Sequence, residues 1–198
     1  MTSLQILDFI ATFAFALVGA RVAASKNMDY GGILFVAAVT ALSGGTFRNL
    51  ALNLKPAWLV EPYLLIAVAL AVTITIAFKA KDAAKKFVLV LDSISLGVAV
   101  VAAVDLSMEK GVGIVGTVVL GVLSAVLGGL VRDVLCQIPP ILLHRETIGT
   151  SSLLGAIVCA SLYQTELSSA LRALISGLVV VAVRLISVKY RINLPKVR

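Results

Sequence analysis

Two apolar stretches, residues 40–50 (TALSGGTFRNL) and 124–134 (SAVLGGLVRDV), carry the same interruption: a Gly-Gly pair with an arginine three residues beyond it. Adjacent glycines strip the side chains from one turn of a helix and favour a kink or a break, which frees carbonyls of the preceding turn to bind something polar. Arg48 and Arg132 then fall in the first turn after Gly44 and Gly45 and after Gly128 and Gly129. An arginine near the middle of a bilayer costs about 2.5–3.5 kcal/mol even on the most lenient scale. A chain that places one there twice calls for a reason, and the pattern predicts a water-accessible path between two interrupted helices.

That these stretches lie in a membrane follows from what surrounds them. Of 198 residues, 60% are hydrophobic and 14% charged, with a mean hydropathy of +1.08, whereas soluble domains carry about 25% charged residues. A spanning helix needs about 20 mostly apolar residues. Seven candidates are present, at residues 4–24, 30–52, 62–78, 87–104, 111–135, 147–164 and 173–188. The gaps between them are short, so the chain reads as a single transmembrane domain with no room for a soluble one. The first run lacks a basic leader and carries Asp8, which predicts a spanning helix rather than a cleaved signal. Pro62, following Glu61, suits the first position of its helix. Tyr30, Trp58, Tyr63, Tyr163 and Tyr190 fall at predicted helix ends, where interfacial aromatic belts form.

The net charge of +7 would suggest nucleic acid in a soluble protein. Here the basic residues sit mostly in the gaps and act first as orientation signals, so no nucleic-acid partner is expected. Counted on alternate sides, eleven Lys and Arg fall with the odd-numbered gaps and the C-terminus and three (Lys55, Lys110, Arg172) fall opposite, with Arg48, Arg132 and Arg184 left out as intramembrane or ambiguous. This count predicts a cytoplasmic C-terminus and an outside N-terminus in the cell membrane. The basic gap at residues 79–86 (KAKDAAKK) reads as a topology signal, although anionic lipid head groups would also be drawn to it. Cys136 and Cys159 match no metal or redox spacing and read as buried free thiols. His144 stands alone, and no catalytic, metal or cofactor constellation is evident, so neither an enzyme nor a cofactor protein is expected.

Sliding residues 4–56 onto 88–140 without a gap pairs Asp8 with Asp92, Lys26 with Lys110, Gly32 with Gly116, Gly44 and Gly45 with Gly128 and Gly129, Arg48 with Arg132, and Pro56 with Pro140. Most of these residue types are scarce in apolar helices. Each unit holds three spans, an odd number, so the second copy enters the membrane upside down. The expected layout is therefore an all-α polytopic protein of seven transmembrane helices: two inverted three-helix repeats (1–80 and 85–165) plus an extra helix (170–190).

Several residues have two readings at this stage. The glycine pairs either open a path or only permit close packing of helices. At 1.5 Å per residue, Gly44 lies about 21 Å along its span, past the midplane, with Gly128 equally far toward the other face. Arg48 and Arg132 either snorkel to the interface or hold the opposite helix break in shape, and they suit gating or scaffolding better than cation coordination. Asp133 follows Arg132 where Asn49 follows Arg48, so the halves are not electrostatically equivalent. Asp8 and Asp92 are candidate acidic mouths, partners for the arginines, or plain acids at helix starts. Asp105 and Glu109 are expected in solvent.

The pattern resembles the prokaryotic branch of the trimeric intracellular cation (TRIC) channels. The likeness covers nearly the whole chain. It rests on the seven-span layout, the duplicated GG-x-x-R-[DN] element (Gly44, Gly45, Arg48, Asn49; Gly128, Gly129, Arg132, Asp133), LDSISLG at 91–97 and RLISVKYRINLP at 184–195. The family's motif has a third glycine, where Ser43 and Leu127 stand here, and an Asp where Asn49 stands. The resemblance implies a homotrimer in which each protomer has its own pore, bounded by spans one, two, four and five and kinked at the glycines. It also implies that monovalent cations pass, chiefly potassium with sodium also permeant. The spacing arguments alone give only a polar path between inverted repeats. They leave open a secondary transporter of a small solute such as an amino acid, which the paired arginines would suit, and a structural membrane protein, which would leave the arginines unexplained.

Overall fold

The computed structural model describes residues 3–78, 85–140 and 147–190, and all regular structure among them is helical. In chain order the helices are α1 (Ser3–Ser25), α2 (Tyr30–Ala51), α3 (Ala57–Val60), α4 (Tyr63–Ala77), α5 (Lys85–Glu109), α6 (Ile114–Leu135), α7 (Thr147–Tyr163) and α8 (Ser169–Lys189). Five of them, α1, α2, α5, α6 and α8, are long and apolar enough to cross a membrane; α4 and α7 are apolar but shorter, with 15 and 17 residues. The four-residue α3 was not expected. Pro62 precedes α4 as its N-cap instead of opening it. Much of the basic gap at 79–86, together with His144, Arg145 and the end of the RLISVKYRINLP stretch, lies outside the described residues.

Large apolar side chains lie on the outside and several charged residues of the helices lie within, which suits lipid as solvent. Tyr30, Phe35, Ile66, Val115 and Leu174 are exposed, while Arg48, Arg132 and Arg184 are buried. Several hydroxyls within the helices are satisfied locally: Thr40, Thr75, Ser93, Ser95 and Ser107 each donate to the carbonyl four residues back. That removes the cost of an unpaired polar group in hydrocarbon.

Helices α1 and α5 are central. α1 packs on α2, α4 and α5; α5 packs on α6, α7 and α8; α2 and α6 cross each other. Each half has its own apolar cluster, one around Phe15, Val36 and Val68 and the other around Val100, Val126 and Ala156. The same chain turns recur 84 residues apart. Asn27 and Gly111 both adopt positive φ, at 57° and 73°, just after α1 and α5; Asn53 and Gln137 do so after α2 and α6, at 56° and 52°. Left-handed residues at these positions end a helix by turning the next amides back onto its last carbonyls. Accordingly Met28 N donates to Ala23 O as Val112 N does to Ser107 O, and Leu54 N donates to Asn49 O as Ile138 N does to Asp133 O.

The glycine pairs do not break their helices, contrary to expectation. α2 and α6 stay helical through Gly44, Gly45, Gly128 and Gly129. One glycine of each pair serves the crossing instead. A Cβ on Gly44 would overlap the Ser124 carbonyl oxygen, and a Cβ on Gly128 would overlap that of Thr40. These two contacts are images of each other, since 40 and 124, like 44 and 128, differ by 84. Bare backbone lets the two helices touch at van der Waals distance, and Ser124 Oγ then donates to Gly44 O across 3.0 Å.

Candidate functional site

On either side of this crossing sits a buried cluster of charge. One turn beyond Gly44, Arg48 turns inward because its helix face there is packed against α1. Its Nη1 and Nη2 donate to the two carboxylate oxygens of Asp8 at 2.8 and 2.9 Å, and its Nε donates to Asn49 Oδ1 at 2.9 Å. Asn49 in turn donates to the Lys55 carbonyl at 2.9 Å, tying the cluster to the loop after α2. All three guanidinium nitrogens are used. The bidentate fork matches the planar guanidinium to the carboxylate, the strongest geometry such a pair can have.

The second cluster repeats the first with an added member. Arg132 Nη1 donates to Asp92 Oδ1 at 2.7 Å, while its Nε and Nη2 donate to Asp133 Oδ1 at 2.9 and 2.8 Å. Arg184, reaching in from α8, donates through Nη2 to the other oxygen of Asp92. Asp92 thus lies between two guanidinium groups, and Asp8 has one. The side chain of Asp8 keeps 17% exposure and that of Asp92 7%.

Small cavities adjoin both clusters. One of about 30 Å³ is lined by Asp8, Thr12, Thr40, Gly44, Arg48 and Gly128, among others, and one of about 20 Å³ by Asp8, Thr46, Arg48 and Trp58. The cavity on the second side, lined by Asp92, Gly129, Arg132, Asp133 and Arg184, is about 10 Å³, roughly the space for one water. Phe15 lines both the 30 Å³ and the 10 Å³ cavities and so stands between the two sides. Its counterpart 84 residues on is Ala99, which cannot fill the same space.

The structure pairs Arg48 with Asp8 and Asn49, and Arg132 with Asp92 and Asp133, in two separate clusters. Arg48 and Arg132 are buried, and the groups they hold are the carboxylates of Asp8 and Asp92 rather than carbonyls of the opposite helix. Those acids are the arginines' partners. Gly44 and Gly128 face the crossing; Gly45 has open space beside it. Asp105 is a correction: expected in solvent, it is partly buried and accepts from Arg172 Nε at 3.1 Å, and Arg172 also lies over the Tyr163 ring at 4.6 Å. Burial beside α8 explains it, whereas Glu109, one turn on, is exposed. Cys136 and Cys159 are free and buried as expected, and burial pushes the Cys136 thiol up from its ordinary value although the nearby Arg132 guanidinium pulls it down.

Sequence reasoning left Arg184 unassigned and passed over Phe15. For Arg184 a signal existed: it lies inside the seventh apolar run, where a charge needs a partner. For Phe15 there was none, because an aromatic among apolar residues looks the same wherever it points.

Solved structures with this fold exist. The fold matches the TRIC trimeric intracellular cation channel orthologue from Rhodobacter sphaeroides with a TM-score of 0.89 at 30% identity, covering 97% of this chain and all of that one. A second TRIC cation channel structure matches with a TM-score of 0.86 at 28% identity, covering 100% of this chain and 98% of the other. The apolar helices and this fold likeness define a polytopic membrane protein like TRIC. More narrowly, the chain belongs to the family described as "Glycine transporter", whose sequence model matches it twice, at residues 5–80 and 89–164. The inner membrane protein YadS of Escherichia coli K12, a UPF0126 protein, is 33% identical over 96% of this chain and 93% of its own length.

Proposed function

We propose that this protein is a passive channel for monovalent cations, potassium foremost with sodium also permeant. Each protomer of a homotrimer carries its own path between α2 and α6. The path runs from the Asp8–Arg48 cluster, past the glycine crossing and Phe15, to the Asp92–Arg132 cluster. Carboxylates offset the arginines, and hydroxyls and carbonyls near the crossing supply oxygen to a partly dehydrated cation. In this reading the chain has seven spans, with α4 and α7 shorter than the rest, arranged as two inverted repeats (1–80 and 85–165) and an extra helix (170–190). Support for the repeats comes from the doubled family match and from turns, contacts and ion pairs that recur at an interval of 84. The eleven-to-three bias of Lys and Arg supports an outside N-terminus and a cytoplasmic C-terminus.

The observation that carries the channel reading is the pair of buried Arg–Asp clusters flanking one crossing in a fold shared with solved cation channels. Purified protein in a planar bilayer under a potassium chloride gradient should give unitary currents that reverse near the potassium potential. The family description favours a second reading, a transporter of a small amino acid. Saturable uptake of labelled glycine into proteoliposomes, coupled to an ion gradient and without unitary steps, would establish that instead.

A further inference from the structure

Helix α8 has no counterpart in the first half, and it approaches α5 closely enough that a Cβ on Gly97 would meet the Gly177 carbonyl oxygen at 3.0 Å. It brings one charged group to the buried second cluster, Arg184, which is 2% exposed. The way Arg184 is held differs from the other two arginines. Arg48 and Arg132 each use Nε and both terminal nitrogens in hydrogen bonds. Arg184 donates only through Nη2, to Asp92, and its Nε and Nη1 are buried without a hydrogen-bond partner. Orphaned donors in a buried site are costly, so a guanidinium held only for stability would have its nitrogens satisfied as those of Arg48 and Arg132 are. Arg184 is therefore the least anchored of the three, and it lines the small second cavity beside Asp92 and Arg132.

We infer that Arg184 is a tethered competitor for the permeating cation: its guanidinium occupies the seat at Asp92 that an ion would take, and so controls conduction through the second half of the path. The inference rests on the channel reading. It accounts for the difference between the sides, because Asp8, with one arginine, opens onto cavities of about 30 and 20 Å³, while Asp92, with two, adjoins one of about 10 Å³. The charged groups facing Arg184 are Asp92 on α5 and Arg132 and Asp133 on α6.

The test compares unitary potassium conductance of wild type, R184Q, D92N/R184Q and R184H in planar bilayers. Removing the tethered charge should raise conductance or open probability at least about twofold in R184Q, and the rise should disappear in D92N/R184Q, where the seat is gone. R184H keeps the test valid if R184Q does not yield a well-behaved protein, because one folded molecule then carries both states. Its conductance should increase from about pH 5.5 to about pH 8 as the imidazole loses its proton, by more than any change in wild type. Unitary currents in wild type with R184Q unchanged, or an R184H profile parallel to wild type, overturn the inference and leave the channel intact. Absence of unitary currents from wild type and all variants overturns both.

Discussion

Arg48 grips Asp8 with both terminal nitrogens, at 2.8 and 2.9 Å, across 40 positions of sequence, and the guanidinium that does so is 3% exposed. Arg132 stands to Asp92 at the same separation of 40. These ion pairs fasten α2 to α1 and α6 to α5, so the two crossing helices are locked to the central helices.

Breaking the first lock should be costly. D8N leaves a buried guanidinium without its counter-charge, a change worth about 3–5 kcal/mol in buried pairs. The thermal midpoint in detergent should fall, and D8N/R48Q should recover about 1 kcal/mol or more of the loss, since contacting residues couple by about 0.5–3 kcal/mol. R48K should not substitute, because an ammonium cannot reproduce the two-pronged contact. A D8N protein that melts with wild type would show the pair to be incidental.

The two glycines of each pair should behave differently. G44A and G128A push a methyl group into a backbone oxygen of the facing helix, which cannot yield like a side-chain tip. Overpacking of this kind costs about 1–3 kcal/mol. G45A meets open space and should be neutral or gain up to about 1 kcal/mol from helix propensity. Equal effects at positions 44 and 45, read from unfolding of the detergent-solubilised protein, would contradict the crossing geometry.

Phe15 separates the two cavities, so F15A should join them. On the channel reading, unitary conductance rises; stability falls by about 3–5 kcal/mol, the usual cost of emptying an aromatic site. A99F, which adds bulk at the position 84 residues on that also lines the larger cavity, should lower conductance. Bilayer recordings of both variants check the pair, and unchanged currents in both would place the ion path elsewhere.

The thiols should be silent. Cys159 is 0% and Cys136 2% exposed, and the raised Cys136 pKa leaves less thiolate at neutral pH than an ordinary thiol has. A membrane-impermeant maleimide should label neither in the folded protein and both after denaturation, with mass spectrometry counting the adducts.

Much of this was legible from sequence because it rests on cost. Apolar runs of spanning length admit only helices in lipid, and residue types as expensive there as Asp8, Arg48, Asp92 and Arg132 stand out when they recur 84 positions apart. Sequence thus determined the helical membrane class and singled out Asp8, Arg48 and Asn49 of the first cluster and Asp92, Arg132 and Asp133 of the second. What it could not fix was who meets whom. Whether an inward arginine finds a carboxylate, a carbonyl or the lipid surface depends on which helix face lies opposite, and that is set by packing. The same holds for the glycines: Gly44 and Gly45 are chemically identical, and only the position of Ser124 across the crossing separates the one that must lack a side chain from the one that need not. Arg184 and Phe15 gained their places from α8 and α1 closing on α5 and α6, relationships between segments far apart in the chain that no local pattern encodes.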